Sequence, residues 1–193
     1  MIRKFLSTAI YALVFAAPAG IALAQATPAA GSKAEYDAAT KQADADYKVA
    51  SEKCAGLKAN AKDICKAEAK RDRDVAKAEA GVKREGTEKA QAHAHKVKAD
   101  RDYDVAKEMC DDKSGNAKDV CVKEAKAAHE KALGAIKIEK AKESAGADVS
   151  EARREAKKDT MDANYEADKQ KCEAMSGGAK DKCIADTKAK YGK

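Results

Sequence analysis

Three times the chain uses one block of sequence, which first reads Tyr47-Lys48-Val49-Ala50-Ser51-Glu52-Lys53-Cys54, then ten further residues, then Cys65. In each copy the tyrosine lies seven residues before the first cysteine, and the second cysteine lies eleven residues after the first. The two later copies are Tyr103, Cys110 and Cys121, and Tyr165, Cys172 and Cys183. All six cysteines of the chain belong to this pattern, which we call the Tyr-Cys-Cys block.

The composition around these blocks predicts long helices with a thin apolar core. Charged residues make up 37% of the chain and aromatic residues only 4%, and tryptophan is absent. Alanine, lysine and acidic residues dominate, which is typical of exposed helices and coiled coils. No proline follows Pro28, and uninterrupted helix is the simplest reason, because proline breaks helices.

Cap signals predict where the helices begin. Ser32, with Glu35 three residues later, predicts a helix from about Lys33. In the first two blocks a glycine and then an asparagine separate the cysteines, so we interpret Asn60 and Asn116 as caps of a second helix. Each block therefore predicts an antiparallel helical hairpin with a tight turn, whose cysteines lie about one helical turn from the bend.

The sequence leaves open whether the helices break between hairpins. Residues 81–86, followed by Thr87, are one candidate break, and residues 144–146, followed by Asp148, are the other. With both breaks the chain is all-α with six helices in three hairpins; with neither it has four helices, two of which run from one block into the next. The predicted division is residues 33–85, 86–146 and 147–193, preceded by a flexible lead at 27–32.

The first 26 residues predict a signal peptide. Arg3 and Lys4 precede a mostly apolar run at 5–17, and small residues at Ala24 and Ala26 fit a cleavage site. An uncleaved membrane anchor is the alternative, but the apolar run is short for a membrane span. We therefore expect export to the periplasm, with cleavage near Ala24 or Ala26 and no membrane-spanning helix in the processed chain.

An exported chain with an even number of cysteines predicts a disulfide framework. Because each copy of a duplicated block would close on itself, we predict three pairs. Two antiparallel arms joined by a short turn bring residues near the bend to the Cα separation of about 5–6 Å that a disulfide needs. The predicted pairs are Cys54–Cys65, Cys110–Cys121 and Cys172–Cys183.

Metal binding or thiol redox chemistry at the cysteines and histidines is an alternative that the spacing does not favour. Ten residues between cysteines is unlike the close pairs of structural zinc sites or thioredoxin-like motifs. His93 and His95 point to different sides of a helix, and His129 stands alone. We predict no catalytic, cofactor-binding or metal residues, and no cofactor. The block tyrosines are predicted to cover the disulfides and to fill the seam between hairpin arms: Tyr47, Tyr103 and Tyr165.

The charge pattern bears on the partners. Removing the signal peptide lowers the formal net charge from +6 to +4, and acids and bases are interspersed. A nucleic-acid partner is not expected, because the sequence has no basic stripe with interleaved aromatic residues. Three kinds of envelope partner stay open, namely a protein, peptidoglycan or anionic lipid. The alanine-rich seams leave the oligomeric state open as well.

The block Cys110-Asp-Asp-Lys-Ser-Gly-Asn-Ala-Lys-Asp-Val-Cys121-Val-Lys-Glu-Ala-Lys126, preceded by Asp102-Tyr103-Asp104-Val105-Ala106-Lys107, resembles the repeat of a family of exported Ala/Lys-rich proteins of beta-proteobacteria. These proteins are described as TolA-like and assigned to cell-envelope biogenesis. The resemblance covers most of the chain after the signal peptide. It implies an envelope setting and carries over no functional residue.

These observations predict a non-enzymatic periplasmic helical repeat protein with a structural, scaffold or binding role at the cell envelope. Two alternatives stay open. One is a metal- or thiol-redox-responsive periplasmic stress protein that uses the cysteines. The other is a lysine-rich binder of anionic envelope polymer or lipid.

Overall fold

The computed structural model describes residues 31–144 and 146–193, and its secondary structure there is entirely helical. The predicted all-α fold and the three disulfide-closed hairpins are confirmed. The predicted signal peptide and residues 27–30 of the predicted lead lie outside the described residues. The helices are α1 (Lys33–Cys54), α2 (Ala59–Glu85), α3 (Glu88–Cys110), α4 (Gly115–Glu143), α5 (Val149–Cys172) and α6 (Gly177–Tyr191).

Both candidate breaks between hairpins are real. Helix α2 ends at Gly86, whose φ of 59° is a left-handed conformation that suits glycine, and Thr87 accepts a hydrogen bond from the Ala90 amide to begin α3. Helix α5 begins at an Asp148 cap, whose side chain accepts hydrogen bonds from two backbone amides. The described part of the chain therefore has six helices in three hairpins.

The predicted caps of α1, α2 and α4 have different outcomes. Ser32 and Glu35 form the reciprocal capping box. Asn60 and Asn116 are not caps, so that interpretation was wrong: α2 and α4 each begin at the residue before the asparagine, and the residue that does cap each helix makes no side-chain hydrogen bond. The reason is that Ala59 and Gly115, in a left-handed conformation, turn the chain into the helix, so each asparagine is already the second helical residue.

The six helices form a single antiparallel layer. Within residues 31–144 and 146–193, each helix contacts only the helices before and after it in the chain. The layer therefore has two wide faces and two edges, α1 and α6. Because neighbours are antiparallel, the α1–α2, α3–α4 and α5–α6 bends share one end of the layer, which we call the disulfide end.

Helix α3 shows why the layer needs small residues on two sides. Ala92 and Ala99 are buried with Ile136 of α4. Ala94 and Val105 are also buried, about half a turn around the helix from the first pair, on the side that meets α2. An interior helix thus buries two opposite stripes and exposes the two between them.

Helices α4 and α5 approach each other closely at Gly134. Gly134 is buried there, and a Cβ atom added to it would lie 2.9 Å from Ala156 Cβ. Small residues therefore set the interhelical spacing, as expected for a core built largely from alanine. None of the helices in the described residues is long and apolar enough to cross a membrane.

Candidate functional site

Each Tyr-Cys-Cys block forms a clasp at the disulfide end of its hairpin. The first cysteine ends one helix and the second lies about two turns into the next, and the Cα–Cα separations are 5.6, 5.6 and 5.7 Å in chain order. The described residues contain no free cysteine. The first cysteine of each pair, at positions 54, 110 and 172, is fully buried, whereas the second is half-buried.

Each block tyrosine lies against a side chain of the opposite arm. The partner is always the residue eight positions after the second cysteine. The Arg73 guanidinium lies 4.5 Å from the ring centroid of Tyr47. The other two pairs are Tyr103 with His129, stacked at 4.9 Å, and Tyr165 with Tyr191, edge to face at 5.9 Å. The rings therefore join the two arms of a hairpin about two turns from the disulfide.

An aspartate three residues before each tyrosine joins the same contact. In the second block Asp100 Oδ1 lies 2.9 Å from His129 Nε2, and Lys96 donates to the same carboxylate at 2.6 Å. Burial opposes ionisation, but these hydrogen bonds outweigh it and lower the pKa of Asp100. In the other blocks the equivalent aspartates pair across the hairpin with lysines: Asp44 with Lys77, and Asp162 with Lys193.

The third block carries the most perturbed carboxylate. Asp168 accepts hydrogen bonds from Lys190 at 2.7 Å, from the Tyr191 hydroxyl at 2.8 Å and from Lys171 at 3.1 Å. The Lys190 hydrogen bond is the largest cause that lowers the pKa of Asp168 from 3.8 to about 2, with burial acting against it. This network ties the last turn of α6 to α5.

The asparagines misread as caps join one hairpin to the next. Asn60 Nδ2 donates to the Glu108 carbonyl oxygen at 2.7 Å, which links α2 to the end of α3. Asn116 Oδ1 accepts from Gln170 Nε2, also at 2.7 Å, which links α4 to α5. Glu108 and Gln170 hold the same position in their blocks, two residues before the first cysteine. The third block has Gly178 at the asparagine position.

The histidines lie apart in the structure. His95 is 3.3 Å from Glu139, His129 belongs to the tyrosine contact, and His93 lines a groove of about 560 Å³ with Tyr36 and Arg101. In the described part of the chain, no group of three or more His, Cys, Asp or Glu residues is placed to hold a metal ion.

The buried polar side chains of the clasps have hydrogen-bond partners. No side-chain nitrogen or oxygen atom buried in the described ranges lacks a hydrogen-bond partner. The arrangement can therefore fix hairpin geometry through covalent, ionic and ring contacts. The sequence analysis identified the cysteines and tyrosines but not the tyrosine partners, although their constant spacing from the second cysteine was a usable signal. Comparisons of the chain with protein-family models, curated proteins and solved structures find no match.

Proposed function

We propose that the chain is an exported, non-enzymatic helical protein with a scaffold or binding role at the cell envelope. The observation that carries this proposal is the closure of every cysteine into a disulfide at an equivalent place in three hairpins. Structural disulfides persist in oxidising compartments and are rare in the bacterial cytoplasm. The periplasm is therefore the compartment that suits this chain, and the sequence of the first 26 residues agrees.

A scaffold role fits the way the layer is built. The core is thin and mostly alanine, so the disulfides near the bends supply part of the stability that a large apolar core would otherwise provide. A single layer also presents two wide, charged faces to its surroundings. A protein, peptidoglycan or anionic lipid surface are the envelope partners compatible with these faces.

The test combines location with the state of the thiols. The full chain is produced in a Gram-negative host, released by osmotic shock and weighed intact before and after alkylation. We expect cleavage near Ala24 or Ala26, no alkylated cysteine in the native protein and six after reduction. A matched chain that lacks residues 2–26 should stay in the cytoplasm with alkylatable thiols. Cytoplasmic retention of the full chain, or two or more free thiols in the exported form, would refute the proposal.

A thiol-redox role is the second candidate, because the second cysteine of each pair is half-buried and so partly open to a reductant. Equilibration in glutathione buffers of graded potential separates the two functions. Structural disulfides should stay oxidised in buffers at potentials down to about −300 mV. A disulfide that is half-reduced under those conditions would instead support the redox role.

A further inference from the structure

Helix α1 carries the packing stripe of an interior helix on a side that no other helix of residues 31–144 and 146–193 covers. Val49, two residues after the block tyrosine, is 52% exposed. The equivalent residues of α3 and α5, Val105 and Ala167, are 4% and 3% exposed, because α2 and α4 cover them. Val49 is also one of four exposed large apolar side chains in the described residues.

The rest of the stripe repeats in the same way. Helix α5 buries Ala152, Ala156 and Ala167 along the side that meets α4, one turn and then three turns apart. The corresponding residues of α1 are Ala34, Ala38 and Val49, with Ala45 between them, and all four are exposed. We call these four residues the α1 edge. In α3 and α5 the same stripe is a helix–helix interface, and among the described residues the α1 edge lacks the helix that covers its equivalents.

The opposite edge of the layer, formed by α6, does not have the apolar surface that would pack against the α1 edge. The residue before the second cysteine is Ile64 in α2 and Val120 in α4. Both side chains are half-buried, and both helices pack against the next hairpin. In α6 that position is Lys182, which is exposed and pairs with Asp186 at 2.6 Å. Gly178 also replaces the asparagine that bonds to the next hairpin. A head-to-tail array, with α6 of one copy on α1 of another, would place a lysine where the internal interfaces have an apolar residue.

We propose that the α1 edge binds the α1 edge of a second copy, antiparallel, about a two-fold axis. The antiparallel arrangement is the one that every helix pair within the layer uses. It sets Ala34 opposite Val49 and Ala38 opposite Ala45 of the other copy, because the spacing of the four residues reads the same in both directions along the helix. A two-fold contact uses one patch twice and closes, so the assembly is a dimer and not a filament.

The first test measures mass in solution. The full chain, exported and processed by the host, is analysed by light scattering and sedimentation up to roughly 100 μM, which detects micromolar association. We expect a dimer. Val49→Lys should weaken it by roughly tenfold or more, because the two-fold axis places the new charge in the interface twice. Ala39→Lys adds the same charge at an exposed position about a quarter turn or more around α1 from the edge, on a wide face, and should leave the dimer unchanged.

The second test locates the contact. Copies labelled with nitrogen-14 and nitrogen-15 are mixed, treated with an amine-reactive cross-linker and digested. We expect mixed-isotope links between Lys41 or Lys48 of one copy and the same lysines of the other. A monomer over the whole concentration range, a dimer that Val49→Lys leaves intact, or mixed-isotope links that join α1 to α6 would each overturn the proposal. Circular dichroism of each variant establishes that the hairpins remain folded.

Discussion

The contact between α4 and α5 predicts that Gly134→Ala destabilises the protein, although alanine is the better helix former. A Cβ at this position would lie 2.9 Å from Ala156 Cβ and 3.4 Å from Ala156 Cα. Carbon atoms in good contact are about 3.5–4.0 Å apart, so the two helices must separate locally or strain. Overpacking of this kind costs about 1–3 kcal/mol.

A second helical glycine supplies the matched control. Gly81 lies inside α2, and a Cβ added to it would meet no other atom within 4 Å. Gly81→Ala should therefore stabilise the protein by about 0.5–1 kcal/mol through helix propensity alone. Gly134→Ala gains the same propensity, so its net cost is about 0–2 kcal/mol. The difference between the variants, about 1–3 kcal/mol, isolates the steric contact.

The assay is urea unfolding followed by far-ultraviolet circular dichroism, with unchanged m-values as the condition for comparing free energies of unfolding. The double variant Gly134→Ala/Ala156→Gly removes the clashing methyl group. It should be more stable than the sum of the single changes predicts, by about 1 kcal/mol, because the two positions touch. If Gly134→Ala and Gly81→Ala stabilise equally, the α4–α5 approach described above is wrong.

Three further predictions follow from the clasp and the bends. Reduction of the disulfides should leave much local helix but lower the midpoint of thermal unfolding, because each closed loop of about 12 residues contributes roughly 2–3 kcal/mol; a melt unchanged by reductant would contradict this. The pKa of Asp168 is lowered to about 2 by folding, so its contribution is present at neutral pH and is lost as the pH falls from about 4 to about 2. Since its partner Lys190 is 64% exposed, we expect a loss of about 1 kcal/mol, which Asp168→Asn should abolish in acid titrations of stability. Ala59→Gly should raise the free energy of unfolding by about 1 kcal/mol, because Ala59 has a φ of 48°, while Gly115→Ala, at a φ of 53°, should lower it equally.

The sequence predicted the hairpins because the signals were local and repeated. Cysteine spacing limits which atoms can meet, and the glycine-rich bends lie between the paired cysteines in every copy. The capping box at Ser32 was likewise readable, since both of its partners lie within four residues. The breaks at Gly86 and Asp148 stayed open because each signal there fits either a helix end or a tolerated interruption.

The errors and gaps concern interactions between distant residues. Asn60 was misread because its helix begins with Ala59 in a left-handed conformation, which L-residues rarely adopt and which the first block alone gives to a residue other than glycine. Its hydrogen bond to the Glu108 carbonyl lies 48 residues away, beyond any local pattern. The single-layer arrangement was also not predicted, because alanine stripes on both sides of α3 fit a layer and a closed bundle equally.

The three tyrosine contacts indicate what the clasp requires of its variable position. The partners are an arginine, a histidine and a tyrosine, which share a hydrogen-bond donor but not a common charge. All three end in a planar group, and a planar group can cover an aromatic ring or meet its edge without leaving a gap between the arms. The three partners therefore share a planar shape, while the aspartate one turn before the tyrosine pairs with a lysine in two blocks and with the histidine itself in the other. A planar group at a fixed spacing, with a different charge in each copy, is the pattern expected of a contact that joins the two arms of each hairpin.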